Sequence, residues 1–289
     1  MSFKIVVLAK QVPDTRNVGK DAMKADGTVN RGALPAIFNP EDLQALEQAL
    51  MVKDQVEDAE IIILTMGPPR AVEIIREALY RGATSGYLIT DRKFAGSDTL
   101  ATSYTLALAV KKIQPHLVIA GRQAIDGDTA QVGPQIAQKL GIPQVTYTEQ
   151  ILDVNLDELK IRRRLERGVE VVKCKTPLLI TVHSSAAECR PRNAKLLMKY
   201  KHARSVSELQ EESKDYTEMM TNKPYLRLEE WSVADLGADE EALGLSGSPT
   251  KVKKIENVVL AKKESVNLTT EDKDIDYLMK ELIDSHVIG

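Results

Sequence analysis

Residues 117–134 read LVIAGRQAIDGDTAQVGP. The apolar run 117–120 stops at Gly121, a polar loop follows, and from Thr129 the apolar spacing turns helical through Leu140. A buried strand that ends at glycine and feeds a helix collects unpaired backbone N–H groups at the positive end of a helix dipole. An α/β protein holds phosphate in such places. On spacing alone a plain turn fits equally well. Gly121 and Gly127 are then turn residues and Thr129 an N-cap, and Asp126 and Asp128 tie down their own loop rather than hold magnesium.

Outward from this stretch the pattern repeats. Apolar runs suited to buried strands occupy 3–9, 61–66, 86–90, 116–120 and 176–182. Helical spacing fills the gaps. One helix is expected over 40–54, with Leu43, Leu46, Ala49 and Leu50 on one face and Asn39-Pro40 as cap and first turn. A second follows Gly67-Pro68-Pro69, carries Val72, Ile75, Ala78 and Leu79, and ends at Gly82. Others are expected over 97–113 and 129–140. Near-continuous apolar strands alternating with amphipathic helices predict a doubly wound, mostly parallel sheet of the α/β class.

Ligands of such sheets sit beyond the strand carboxyl ends, near a reversal of strand order. That edge collects Leu8 and Ala9 after the first strand, Met66 after the second and Gly121 after the fourth. The helix starts at Asn39-Pro40 and Ser97-Asp98-Thr99 join them, with hydroxyls at Thr99 and Thr129. No GxGxxG follows the first strand and no GxxxxGK[ST] occurs, which argues against an ordinary dinucleotide site and a P-loop.

The whole chain is bounded more simply. Its 289 residues are 43% apolar and 28% charged, with a net charge of −3, which argues against a nucleic-acid partner. No window reaches 18 uninterrupted apolar residues, so no membrane span is expected. Two separated cysteines (Cys174, Cys189) and four scattered histidines predict neither a disulfide framework nor a metal site. The chain enters a strand at once, without a signal-like segment, and a cytoplasmic location is expected. No residue stands out as nucleophile or general base.

GRQAIDGDTAQVGP, together with AKQVPDT (9–15), FNPEDL (38–43), TMGPP (65–69), REALYRGA (76–83) and FAGSDTLATS (94–103), resembles the β subunit of electron-transfer flavoproteins. LGLSGSPTKV (243–252) is similar to that family's C-terminal segment. The resemblance spans nearly the whole chain in order. It implies a Rossmann-like adenine-nucleotide-binding domain with a C-terminal arm. It also implies pairing with an α subunit that carries an electron-transferring FAD. The nucleotide contacts it implies fall on Leu8, Ala9, Asn39, Pro40, Glu41, Asp42 and Met66. They continue over Gly121, Arg122, Gln123, Ala124, Ile125, Asp126, Gly127, Asp128, Thr129, Ala130, Gln131 and Val132.

Two forms of the family differ in that nucleotide. One holds AMP, which is structural. The electron-bifurcating form holds a second FAD, which takes a hydride from NADH and splits the electron pair. The DGDTAQVGP loop resembles bifurcating members, where the AMP form tends to read DDDxxQTG. FAGSDTLATS, TMGPP and the VPDT loop look like that subgroup too, with Gly96, Ser97 and Thr99 placed to approach an isoalloxazine ring and Asp98 beside them among the implied cofactor contacts. The implied acceptors are a ferredoxin or flavodoxin and, through the α-subunit FAD, an acyl-CoA dehydrogenase-type flavoenzyme. One stretch departs from the family. AECRPRNAKLLMKYKHA (187–203) keeps Pro191-Arg192 and a basic helix but lacks the Leu-Asn-Glu start of the AMP form's dehydrogenase-docking segment. Lys195, Lys199, Lys201 and Arg204 there also read as a plain solvated face. An adenine-nucleotide hydrolase would need an SGGxDS-like element where this chain has AKQVPDT.

The nucleotide-binding domain is expected over 1–204. Residues 205–289 are charged and weakly periodic, and the resemblance implies that they form an extension on the α subunit; Trp231, Tyr277, Leu278 and Leu282 are either contacts there or fold back on the domain. The basic run KIRRRLER (160–167) reads as part of an antiparallel hairpin through Val172.

Overall fold

The computed structural model describes residues 2–14, 35–211, 216–250 and 265–288. Thr15, Lys251 and Val252, which belong to two of the motifs above, lie outside them. The chain begins β1 (Phe3–Leu8), β2 (Gln11–Pro13), β3 (Ala36–Phe38), α1 (Pro40–Gln55), β4 (Ala59–Met66) and α2 (Val72–Arg81). It continues with β5 (Ser85–Ile89), α3 (Thr99–Ile113), β6 (Leu117–Gly121) and α4 (Val132–Leu140). Then come β7 (Gln144–Val154), β8 (Glu158–Leu165), β9 (Gly168–Lys175), β10 (Leu178–Val182) and α5 (Ala194–Tyr200). Shorter elements follow: β11 (Arg204–Ser205), α6 (Val206–Glu211), α7 (Thr217–Asn222), β12 (Arg227–Trp231) and α8 (Val233–Leu236), with α9 (Asp272–Asp284) beyond them.

Ten strands form one sheet in the order β11-β12-β5-β4-β1-β6-β10-β7-β8-β9, and β2 pairs with β3 separately. β1 lies parallel to β4 on one side and to β6 on the other. From β1 the chain moves outward through β4 to β5, then returns through α3 to lay down β6 on the far side of β1. Strand order therefore reverses at β1. The loops after β1 and β6 part in opposite directions and leave a crevice at the carboxyl edge.

The alternation of side chains decides which residues face which helices. Phe3, Ile5 and Val7 of β1, Ile61 and Ile63 of β4, and Leu117 and Ile119 of β6 pack with α1 and α2. Val6, Leu8, Ile62, Leu64, Val118 and Ala120 point the other way, against α3 and α4. Both faces of the central strands are covered, as their unbroken apolar sequences require. The doubly wound, mostly parallel α/β architecture is that expected from the sequence. The β8–β9 hairpin is antiparallel, as anticipated.

Two helix starts and one strand differ notably from the sequence reading. α4 starts at Val132 rather than Thr129, and its cap residue, Gln131, makes no side-chain capping bond. α3 starts at Thr99, one residue past Asp98, whose carboxylate caps it. β7 was not expected, because QVTYTEQILDV mixes polar and apolar residues with no continuous run.

The domain boundary differs as well. The compact units are Met1–Lys254 and Ile255–Gly289, not a division at 204/205. β12 pairs in parallel with β5, and Leu226, Leu228, Val233 and Leu243 are buried in the two core clusters. Trp231 serves the sheet domain. It stacks on Tyr87 with ring centroids 4.1 Å apart, and the Lys112 ammonium lies 4.6 Å from its ring centroid. In the second unit α9 carries Ile275, Leu278, Met279 and Leu282 at helical spacing and buries none of its residues.

Ile63→Ala, at the fully buried centre of β4, is expected to cost about 2–5 kcal/mol in urea unfolding. Val169→Ala, on exposed β9, should change stability by under about 0.5 kcal/mol.

Candidate functional site

The first turn of α1 writes the conformation of the loop after β6. Asp42 is buried, and its Oδ2 accepts the Lys10 N–H at 2.9 Å while Oδ1 accepts the Gly121 N–H at 3.1 Å. One carboxylate thus joins the ends of β1 and β6. Asn39 does not cap α1, as its sequence position suggested. Its Nδ2 donates to the Gln123 carbonyl at 3.0 Å and its Oδ1 accepts the Ile125 N–H at 3.2 Å. Glu41 accepts the Gln123 N–H at 2.8 Å and the Arg122 guanidinium at 3.1 Å. Glycine is needed at 121 because a Cβ there would stand 2.4 Å from Asp42 Oδ1 and 2.8 Å from the Glu41 carbonyl carbon.

The aspartates of the loop take partners outside it or across it. Lys10 Nζ lies 2.7 and 2.8 Å from the two Asp126 oxygens, and Gln123 Nε2 donates to Asp128 at 3.0 Å. Asp128 thus ties its own loop, as its sequence suggested, whereas Asp126 pairs outside it, and neither caps α4. Among the described residues no cluster of three or more His, Cys, Asp or Glu side chains is placed to hold a metal ion.

Beyond Gly127 the loop changes character. Asp128 and Ala130 adopt φ of 48° and 53°, a left-handed conformation that costs an L-residue about 1–3 kcal/mol. The N–H groups of Thr129, Ala130, Gln131 and Val132 meet no acceptor among the described residues. They lead into the N-terminus of α4. Unpaired backbone donors leading into a helix start are the arrangement that receives an anion. Thr99 reaches the same place from α3, its Oγ1 donating to Gln131 Oε1 at 3.0 Å.

All the residues singled out from the sequence lie on this carboxyl edge. Leu8 and Ala9 end β1, Met66 ends β4, and Asn39 to Asp42 open α1. Thr99 opens α3, and 121–132 runs from β6 to α4. Two of them have roles other than those expected. Asp98 spends both oxygens on Leu100, Ala101 and Thr250, and the Ser97 hydroxyl donates to the Phe94 carbonyl at 2.7 Å. Lys10 was missed, although a lysine directly after a buried strand was a usable signal. Gln135 was missed too. A recess of about 660 Å³ between Phe3, Val56, Leu156 and Lys175 lies at the opposite, amino-terminal edge.

The fold and this edge define a doubly wound α/β domain with its open loop at the switch point. Residues 26–207 match the family model described as electron transfer flavoprotein domain, and the chain belongs to that family. Its relatives include β subunits. It is 45% identical over 252 residues to the electron transfer flavoprotein subunit beta of Clostridium acetobutylicum, covering 87% of each chain. It is 39% identical to the caffeyl-CoA reductase-Etf complex subunit CarD of Acetobacterium woodii, over 99% of this chain and all of that one. Acryloyl-CoA reductase electron transfer subunit gamma of Anaerotignum propionicum is 40% identical over the same shares.

Two outcomes are expected at this site. Gly121→Ala should displace the loop and cost more than about 1 kcal/mol by chemical denaturation, since the obstructing atoms are backbone and a buried carboxylate. Burial pushes the Asp42 carboxyl up to about 7, against the pull of the Lys10, Asn39 and Gly121 donors. Its folded value lies above the unfolded one of about 4, so the folded state binds the extra proton between them. Stability should therefore fall as pH rises from about 4 to about 7, and Asp42→Asn should flatten that part of a pH series of denaturation curves.

Proposed function

We propose that this chain is the β subunit of a heterodimeric electron-transfer flavoprotein and holds FAD at the carboxyl edge of its sheet. The observation that carries this reading is the run of unpaired N–H groups from Thr129 to Val132 at the start of α4. Those groups would receive phosphate. Gly121 to Asp128 would flank the nucleotide, and Leu8, Ala9, Met66 and the Asn39–Asp42 turn would face its adenosine. Bound there, FAD would supply acceptance of a hydride from NADH and division of its two electrons between acceptors.

The chain's own contribution is to bind, orient and hold charge. Asp42, Asn39 and Glu41 fix the near half of the loop, so that the far half presents its donors in one geometry. Electrons would leave to a ferredoxin or flavodoxin and, through the FAD of an α subunit, to an acyl-CoA dehydrogenase-type flavoenzyme. The complex would work in the cytoplasm. Likeness along 99% of the chain to proteins named for caffeyl-CoA and acryloyl-CoA reductase systems supports the bifurcating form. Among the described residues no helix is long and apolar enough to cross a membrane.

One observation favours a second reading, in which the nucleotide is AMP and structural. The hydroxyls of Ser97 and Thr99, assigned to the flavin ring from sequence, already have acceptors within the chain. The two readings part on composition. The chain copurified with its α subunit and then denatured should release two FAD per heterodimer. One FAD with one AMP would eliminate bifurcation at this site.

A further inference from the structure

The geometry points to Asp98 as a positioning residue that couples the docked segment 243–250 to the occupancy of the nucleotide loop. This rests on the reading of 121–132 as a nucleotide site. The Asp98 carboxylate is divided between two tasks. Its Oδ1 accepts the N–H groups of Leu100 and Ala101, at 2.9 and 3.1 Å, and so caps α3. Its Oδ2 accepts the N–H and the hydroxyl of Thr250, at 3.0 and 2.7 Å. With four donors on two oxygens, the carboxylate is spent inside the chain and is not a ligand contact. Burial alone would raise its pKa, but these bonds outweigh that and hold it below the usual carboxylate range.

Segment 243–250 is fitted to the turn before α3 at several further points. The Asp98 N–H donates to Ser248 Oγ at 2.8 Å, and that buried hydroxyl donates to the Gly244 carbonyl at 2.6 Å. Gly244 has φ +54°, and a Cβ there would stand 2.4 Å from the Lys93 carbonyl oxygen. Leu243 is buried in the same core cluster as Phe94. The next residue after Asp98 faces the other way along the edge. Thr99 Oγ1 donates to Gln131 Oε1, and Gln135 Nε2 approaches Thr99 Oγ1 at 3.5 Å. Gln131 belongs to the run of unpaired N–H groups. Hydrogen bonds from Thr250 and Ser248 to Asp98, the peptide link from Asp98 to Thr99, and the bond from Thr99 to the Gln131 side chain thus form one path.

Whatever orders the 129–132 run through Gln131 orders Thr99, and with it the cap that Thr250 shares. By linkage the effect is mutual: nucleotide in the loop tightens segment 243–250, and docking of that segment tightens nucleotide. Asparagine at 98 keeps one acceptor oxygen, so it can hold the α3 cap or Thr250 but not both.

The test is amide hydrogen exchange of peptides covering 243–250 in the purified heterodimer, with FAD or AMP bound and after its removal. Nucleotide content is measured on the same samples. Removal should speed exchange in 243–250 by at least about fivefold. Thr99→Val, which breaks the link to Gln131, should make that exchange the same with and without whatever nucleotide the sample retains. Asp98→Asn and Thr250→Val should exchange fast in both states and release nucleotide sooner. Nucleotide bound with unchanged exchange in wild type overturns the coupling alone. Full nucleotide retention in Gly121→Ala, with loop exchange indifferent to ligand, overturns the site reading and the coupling together.

Discussion

The carboxylate of Asp42 receives two backbone N–H groups from opposite sides of the crevice, one at Lys10 and one at Gly121. β1 and β6 are neighbours in the sheet, but the chain leaves them in different directions, and nothing in a parallel ladder holds their ends together past the last pair. A buried carboxylate reached by two fixed donors does so. Burying a charge is unfavourable, and the donors offset only part of that cost, since burial still pushes the Asp42 carboxyl up to about 7. The interaction also explains Gly121: the strand end approaches α1 so closely that any side chain would occupy the place of the Asp42 oxygen.

From this joint the loop divides into two mechanical halves. Residues 121–125 are bonded at nearly every step to Glu41 and Asp42 of a sixteen-residue helix and to Asn39 just before it. Residues 128–132 have left-handed backbone at two positions, and the N–H groups of 129–132 meet no acceptor among the described residues. Strain of this kind persists only where the surroundings determine it, and the fixed half provides the determination. A ligand would bind to the half that lacks partners and be oriented by the half that has them.

The sheet was legible because its central strands are buried on both faces and so appear as unbroken apolar runs in sequence. The outer strands were less so. β7, between β10 and β8, mixes polar with apolar residues, and β12 (RLEEW), between β5 and β11, sits in a charged region whose composition suggested an extension outside the domain. Neither shows the continuous apolar run of the central strands, and short mixed runs of that kind resemble loops. The site was legible as a place but not as a set of bonds. Gly121 and the loop stand out, whereas the role of Asp42 depends on Lys10 and Gly121, 32 and 79 residues away. Asn39 and Thr129 both occupy positions where local rules give a helix cap. At Asn39 the side chain is drawn instead to the 123–125 backbone, and at Thr129 the helix begins later than its hydroxyl could serve.

One margin of the sheet has a physical consequence of its own. β9 is the last strand, eight residues long, and pairs only with β8 among the described residues. Its outer row of N–H and C=O groups is an open template, and Val169 and Val171 are exposed beside it. Such an edge can zip onto the same edge of another molecule unless charge keeps the two apart. Here that duty falls to Glu170, Lys173 and Lys175. Charged side chains, rather than another strand, therefore guard this margin, and two of them also pair with the neighbouring strand, Glu170 with Arg163 and Lys173 with Glu158.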